Sequence, residues 1–167
     1  MPDDVLRDAQ FLVDTNVISH AIKPKREIHP GIRRFFEQVD EERMYVSALT
    51  IGEIQKGIDL LSWPKSDDEA ALKRHRLQEN LESRLEALCD RFAGRIVAID
   101  VEVARKYGQL HAEAQRSGKS TALADTLIAA CALSKHLTIA TADADFAHFG
   151  NHCIVYNPCT HAVVGRT

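Results

Sequence analysis

The sequence has little of three features that mark common protein classes: paired cysteines, long apolar runs and an excess of basic residues. Its four cysteines form no Cys-x-x-Cys pair, which fits a chain whose thiols stay reduced in the cytoplasm. No apolar run approaches the ~20 residues that a bilayer requires, and the start, MPDDVLRD, is too acidic for a signal peptide. We therefore expect a cytoplasmic protein without a membrane segment.

The net charge of −3 argues against a protein that coats nucleic acid with a broadly basic surface. It still allows a local basic groove around an acidic centre that a metal ion neutralises. The chain has 167 residues, of which 45% are hydrophobic and 27% charged, enough for one domain with a core. Because no repeat, low-complexity tract or linker is evident, residues 1–167 are predicted to form a single domain.

Short strands that are apolar on both sides alternate with helices along the chain. The predicted strands cover residues 10–13, 43–48, 95–100, 137–141 and 153–156. The predicted helices cover residues 15–22, 31–40, 49–62, 67–91 (one helix or a helical pair), 101–117 and 121–136. This alternation is typical of an α/β fold, with a mostly parallel sheet of about five strands between two helical layers.

Two carboxylates stand where predicted strands end. Asp14 directly follows the apolar stretch of FLVDTNVISH, and Asp143 lies two residues beyond LTIAT. In open α/β sheets the ligand sites lie outside the carboxyl ends of the strands. We therefore expect both side chains to belong to one functional site.

Two further acids lie on predicted helices. Asp125 is the only charged residue of STALADTLIAACALS and shares a helical face with Ile128 and Ala129, so it points towards packed surface. A buried carboxylate without a partner is costly, so Asp125 should have a partner or a cation. Glu53 is ambiguous, because TIGE has the form of a capping box in which Thr50 caps the helix and Glu53 reaches back.

Four acids in such positions favour one convergent site, although each by itself could stabilise a helix N-terminus. Clustered carboxylates repel and raise each other's pKa unless a hard cation neutralises them. Carboxylate oxygens favour Mg²⁺ or Mn²⁺ over Zn²⁺ as the bound metal. Thr15, Asn16 and Thr141 are suited to hydrogen bonds that orient these carboxylates.

The motifs LVDTNVIS, SALTIGEIQKGI, ALADTLIAACA and TIATADADF resemble those of the PIN-domain ribonucleases, in particular the FitB-type branch of VapC-like toxins. The resemblance extends from about Phe11 to Pro158, and FAGRIVAID and VYNP support that branch. It implies a three-layer α/β/α PIN fold and a divalent-metal-dependent endoribonuclease. The catalytic acids that it implies are Asp14, Glu53, Asp125 and Asp143, with Asp14, Asp125 and Asp143 as metal ligands and Glu53 and Asp145 as possible further ligands.

The same resemblance implies partners. They are an RNA substrate, a small VapB- or FitA-like antitoxin that covers the acidic groove and links it to operator DNA, and a second copy of the chain in a homodimer. Lys119, just before the helix of Asp125, is a candidate contact for RNA phosphate. Asp145 has a second interpretation as the cap of a short segment, Phe146–Phe149.

Two other functions use the same residues. An aspartyl phosphatase needs a second acid two residues after Asp14, where Asn16 stands. A catalytically silent PIN-type binding or scaffold module, acting in a DNA-bound regulatory complex, would be marked by the loss of an acid, and none of the four is missing. The prediction is therefore a toxin that hydrolyses RNA by means of metal-activated water.

Overall fold

A computed structural model describes residues 2–22, 28–62 and 69–165 of the chain. The helices in these ranges are α1 (Pro2–Asp8), α2 (Thr15–Ile18), α3 (Pro30–Gln38), α4 (Ala48–Asp59), α5 (Glu69–Arg91), α6 (Val101–Arg116) and α7 (Leu123–Ser134). The strands are β1 (Phe11–Val13), β2 (Met44–Ser47), β3 (Ile96–Val97), β4 (Thr138–Ala140), β5 (Val155–Asn157) and β6 (Ala162–Val164). No helix of the described ranges is long and apolar enough to span a membrane.

The strands form one six-stranded sheet in the order β3-β2-β1-β4-β5-β6. Neighbouring strands are parallel except β5 and β6, which are antiparallel. The predicted α/β class with a mostly parallel sheet is confirmed, but the expected count of about five strands is one too low. The missed strand, β6, is apolar (AVV), but it has only three residues, lies at the edge of the sheet and is largely exposed, so no pattern of a buried strand predicted it.

Alternate residues of the central strand pack into separate cores on the two faces of the sheet. In β1, Phe11 and Val13 enter one core and Leu12 enters the other, and none of the three is exposed. Burying one such side chain contributes about 1.5–3 kcal/mol. Helices α3, α4 and α5 cover the first core, and α6 and α7 cover the second. The three-layer arrangement is therefore confirmed.

The helix boundaries follow local signals with some corrections. Asp100 caps α6 as predicted, since its carboxylate accepts a hydrogen bond from the Val103 N–H at 3.0 Å. The predicted alternative of a helical pair before Gly94 is wrong, because α5 is one continuous helix. Residues 67–68 of that prediction lie outside the described ranges. The sequence analysis missed α1, whose last carbonyls accept hydrogen bonds from the Arg43 guanidinium.

Candidate active site

Parallel pairing brings the ends of three strands to one edge of the sheet. Strand β1 pairs with β2 on one side and with β4 on the other. Asp14 follows β1, Asp143 lies three residues beyond β4, and Glu53 lies on α4, which directly follows β2. Helix α7, which packs on β1 and β4, carries Asp125 in its first turn. The topology thus places all four predicted acids at the carboxyl ends of neighbouring strands.

Asp14 is buried, with only 5% of its surface exposed, and its carboxylate is held by three donors. Oδ1 accepts from the Thr15 N–H at 2.7 Å, and Oδ2 accepts from Asn16 Nδ2 at 2.7 Å and from Thr141 Oγ1 at 2.8 Å. A carboxylate offers about four acceptor positions. At least one position, on Oδ1, therefore stays open for another ligand.

Asn16 and Thr141 are themselves fixed in place. The Asn16 Oδ1 accepts from the Ala142 N–H at 3.0 Å, and its Nδ2 also donates to Thr141 Oγ1 at 3.0 Å. The Thr141 hydroxyl, which is fully buried, accepts a further hydrogen bond from the Asp143 N–H at 3.1 Å. This network connects the end of β1 with the loop after β4 and holds Asp14 in one orientation.

Glu53 is oriented by Thr15 and does not take part in a capping box. The Thr15 hydroxyl donates to Glu53 Oε2. Helix α4 is capped by Ser47, whose Oγ accepts from the Thr50 N–H at 3.0 Å. The prediction that Thr50 caps this helix is therefore wrong, because the helix begins three residues earlier than that prediction requires.

The other predicted site residues surround the open side of the cluster. Asp125 is half-buried, and no described residue donates a hydrogen bond to its side chain. Asp143 caps the 3-10 helix Ala144–Phe149, since its Oδ1 accepts from the Asp145 N–H at 2.9 Å. The interpretation of Asp145 as the cap of this segment is therefore wrong. Asp145 and Lys119 are both exposed.

The pKa values show that these acids repel one another. Burial raises the pKa of Asp14 to about 6, although the hydrogen bonds from Thr141 and Thr15 oppose the rise, and the charges of Glu53 and Asp125 add to it. The pKa of Asp125 is also raised, first by burial and then by the charges of Asp143 and Glu53. A cluster of this kind becomes more stable when a cation binds between its members.

No group of three or more His, Cys, Asp or Glu side chains among the described residues is arranged to hold a metal ion. The chemistry of the donors nevertheless fits a hard divalent cation. The candidate ligands are all carboxylates, Asp14 has an acceptor position open, and only one oxygen of Glu53 accepts a hydrogen bond.

His148 is a neighbour of the cluster that the sequence analysis missed. When protonated, its positive charge lowers the pKa of Asp125, so the ring lies close to that carboxylate. It belongs to the 3-10 helix that Asp143 caps. No sequence signal marks it, because a histidine three residues beyond the DAD motif is equally compatible with exposed surface.

Comparison with known proteins identifies the family. The model of the PIN domain matches residues 11–151. Toxin FitB of Neisseria gonorrhoeae is 36% identical over 148 residues, which cover 89% of this chain and 97% of that protein. VapC ribonuclease Y4jK of Sinorhizobium fredii is 30% identical over 134 residues, which cover 80% of this chain and 86% of that protein.

A solved structure agrees with this assignment. One chain of the FitAB structure bound to an IR36 DNA fragment matches with a TM-score of 0.71 and 32% identity. The match covers 89% of this chain and 95% of that chain. The fold, the matched residues and the relatives agree on one family, and the chain belongs to the PIN-domain family.

Proposed function

We propose that this chain is a divalent-metal-dependent endoribonuclease and the toxin of a toxin–antitoxin module. The observation that carries the proposal is the cluster of carboxylates at the carboxyl ends of parallel strands, in which burial and neighbouring carboxylates raise the pKa of Asp14 and of Asp125. A charged Asp14 that is buried and held as a hydrogen-bond acceptor destabilises the folded protein. A protein that served only as a scaffold would gain nothing from this destabilisation. Relatives named Toxin FitB and VapC ribonuclease support the same function.

In this proposal the acids share the task of holding Mg²⁺ or Mn²⁺. The ligands are Asp14, Asp125 and Asp143, with Glu53 and Asp145 as possible further ligands. The cation, when bound, lowers the pKa of a water molecule and offsets the charge of the scissile phosphate.

The chain's own hydrogen bonds prepare this site. Asn16 and Thr141 keep Asp14 in place, so that its open acceptor position on Oδ1 stays available. Thr15 does the same for Glu53, because its hydroxyl binds one carboxylate oxygen and leaves the other available. Since water is the nucleophile, the 2′-hydroxyl of the RNA takes no part in the reaction.

The test is RNA cleavage by the purified chain in Mg²⁺, in Mn²⁺ and in EDTA. Wild type should cleave only with a divalent cation, and both Asp125→Asn and Glu53→Gln should lose activity while remaining folded. Asp90→Asn is the matched control, because Asp90 is an exposed aspartate on α5. Full activity of Asp125→Asn would refute the proposed site, whereas no cleavage by the wild type in either cation would favour a binding or scaffold module.

The proposal includes an inhibitory partner, since such a nuclease endangers the RNA of its own cell. We expect a small antitoxin that inserts an arginine towards the four acids, because the guanidinium pairs with carboxylates in a planar fork and stays charged. An apolar cavity of about 250 Å³ beside α3, lined by Phe36, Met44 and Leu88 among others, supports a second, apolar part of this contact.

The remaining parts of the proposal concern the setting of the protein. We propose that the chain acts in the cytoplasm, as a homodimer, and contacts operator DNA only through its antitoxin. The FitAB structure bound to a DNA fragment supports a DNA-bound complex with the antitoxin. A single-domain organisation over residues 1–167 also remains part of the proposal.

A further inference from the structure

A small polar cavity lies next to the acidic cluster. It is about 70 Å³ in volume and opens between the end of α6, the loop that leads to α7, and the 3-10 helix Ala144–Phe149 with the turn behind it. Its polar lining includes Glu113, Lys119, Thr121, His148, Asn151 and His152. The cavity thus contains three side chains that can carry a positive charge and one carboxylate.

The one carboxylate of the cavity already has a partner, whereas two of the donors do not. Glu113 Oε1 lies 3.5 Å from His152 Nε2. The His148 Nε2 is buried without a hydrogen-bond partner among the described residues. The ammonium group of Lys119 makes no ion pair or hydrogen bond within the same part of the chain. A buried polar nitrogen without a partner is rare in folded proteins, so it indicates a missing hydrogen-bond partner, which is an acceptor when Nε2 carries the proton.

The cavity is connected to the acidic cluster through two elements. His148 lies on the 3-10 helix that Asp143 caps, and its charge also lowers the pKa of Asp125. On the other wall, Thr126, the residue after Asp125 on α7, donates from Oγ1 to Thr121 Oγ1 at 2.9 Å. A ligand in the cavity would therefore lie beside the two elements that carry Asp125 and Asp143.

We propose that the cavity binds a phosphate of the RNA backbone that neighbours the scissile phosphate, with Lys119 supplying the charge and His148 a hydrogen bond. The proposal rests on the nuclease function of the acidic cluster. The cavity is larger than the ~10–15 Å³ that one water molecule needs, and its positively charged or donor groups outnumber its single carboxylate, which suits an anion such as phosphate. A contact to phosphate positions the RNA without reading its sequence.

The proposal predicts a specific salt dependence of RNA binding. The full chain carries Asp125→Asn to prevent cleavage, and its affinity for a fluorescent single-stranded RNA is measured by anisotropy at 50 and 200 mM salt. One lost phosphate contact reduces the slope of log K against log salt by about 0.7. The affinity advantage over the Lys119→Ala variant should therefore shrink about 2.6-fold between the two salt concentrations.

The matched control is Lys135→Ala. Lys135 is an exposed lysine at the other end of α7, so its loss removes the same charge from the opposite end of the sheet. It should leave the slope unchanged. Equal effects of Lys119→Ala and Lys135→Ala would overturn the proposal, because they would show that only net charge matters.

A second measurement does not depend on RNA. Inorganic phosphate, titrated in EDTA, should shift the NMR ring resonances of His148 and His152 in the wild type and much less in Lys119→Ala. No shift in the wild type would overturn the phosphate site and would assign the cavity to water.

The two proposals can fail separately. If the chain cleaves RNA but Lys119→Ala keeps the wild-type salt slope, the cavity is wrong and the nuclease stands. If phosphate binds at His148 but no metal-dependent cleavage occurs, the nuclease is wrong and the anion site stands.

Discussion

Replacing Asp125 by asparagine should stabilise the metal-free protein while it abolishes cleavage. Asp125 is half-buried, receives no hydrogen bond from a described residue, and has its pKa raised by burial and by the charges of Asp143 and Glu53. Asparagine has almost the same shape without the charge. The substitution therefore removes a repulsion and takes away no contact that the structure shows.

The size of the effect follows from linkage. Because burial and the charges of Asp143 and Glu53 raise the pKa of Asp125, its ionised form is less favourable in the folded than in the unfolded state. Asp125 is partly exposed, and charge pairs near the surface are typically worth about 0.2–1 kcal/mol. Since 1 kcal/mol shifts the Tm of a chain of this size by about 2–4 °C, we expect the Tm of Asp125→Asn to rise by about 2 °C at pH 8.

The sign of the pH dependence is also fixed. The cost exists only when Asp125 is ionised, so the gain should be complete well above its folded-state pKa and should disappear as the pH falls towards 4. Thermal unfolding in EDTA at pH 8 and pH 4 measures it, with Asp90→Asn as the exposed control. A Tm that falls by several degrees at pH 8 would refute this reasoning, because it would make Asp125 a structural partner.

Three further predictions follow from the same site. Because the pKa of Asp14 is raised from 3.8 to about 6, the metal-free protein should lose about 3 kcal/mol of unfolding free energy as the pH rises from about 4 to 6. Denaturant titrations across this range measure the loss, and a flat profile would contradict the assignment. Thr141→Val removes a buried hydrogen-bond donor to Asp14. It should lower the free energy of unfolding by about 2 kcal/mol at pH 8 in the same titration and the cleavage rate by about 10–100-fold. Unchanged values would show that the hydroxyl is dispensable. Replacing the antitoxin's groove-facing arginine by alanine should restore cleavage more than it weakens association, as measured by activity and binding assays on the complex. If inhibition survives the loss of every such arginine, the antitoxin acts by sterically blocking the site.

The sequence predicts those parts of the fold in which buried positions produce a recognisable apolar pattern. Strands β1 and β4 are buried on both faces, so they appear as short apolar runs, and the acids after them stand out by contrast. Strand β6 (AVV) is apolar but short, and its residues are exposed or half-buried at the edge of the sheet, so its sequence does not distinguish it from a loop. Its position depends on pairing with β5, which no local pattern specifies.

The errors within the site have a common physical origin. Ser47 and Thr50 are both able to cap a helix, and the choice depends on where β2 stops pairing with its neighbours. Asp143 and Asp145 present the same ambiguity two residues apart. The effect of His148 on the pKa of Asp125, far earlier in the chain, also depends on tertiary structure. Each of these details depends on tertiary geometry, whereas the residue types, their positions after strands and the family resemblance were enough to select the four acids as a candidate site.

The most direct test of the account is the chemistry of the RNA ends. A defined single-stranded RNA is cleaved by the purified wild-type chain in Mn²⁺, and both new ends of every cut are mapped by sequencing and by their reactivity with kinase and phosphatase. Attack by water at a carboxylate-held metal predicts 5′-phosphate and 3′-hydroxyl ends, with no products in EDTA or from Asp125→Asn. Ends with 2′,3′-cyclic phosphate, or cleavage that persists in EDTA, would contradict it.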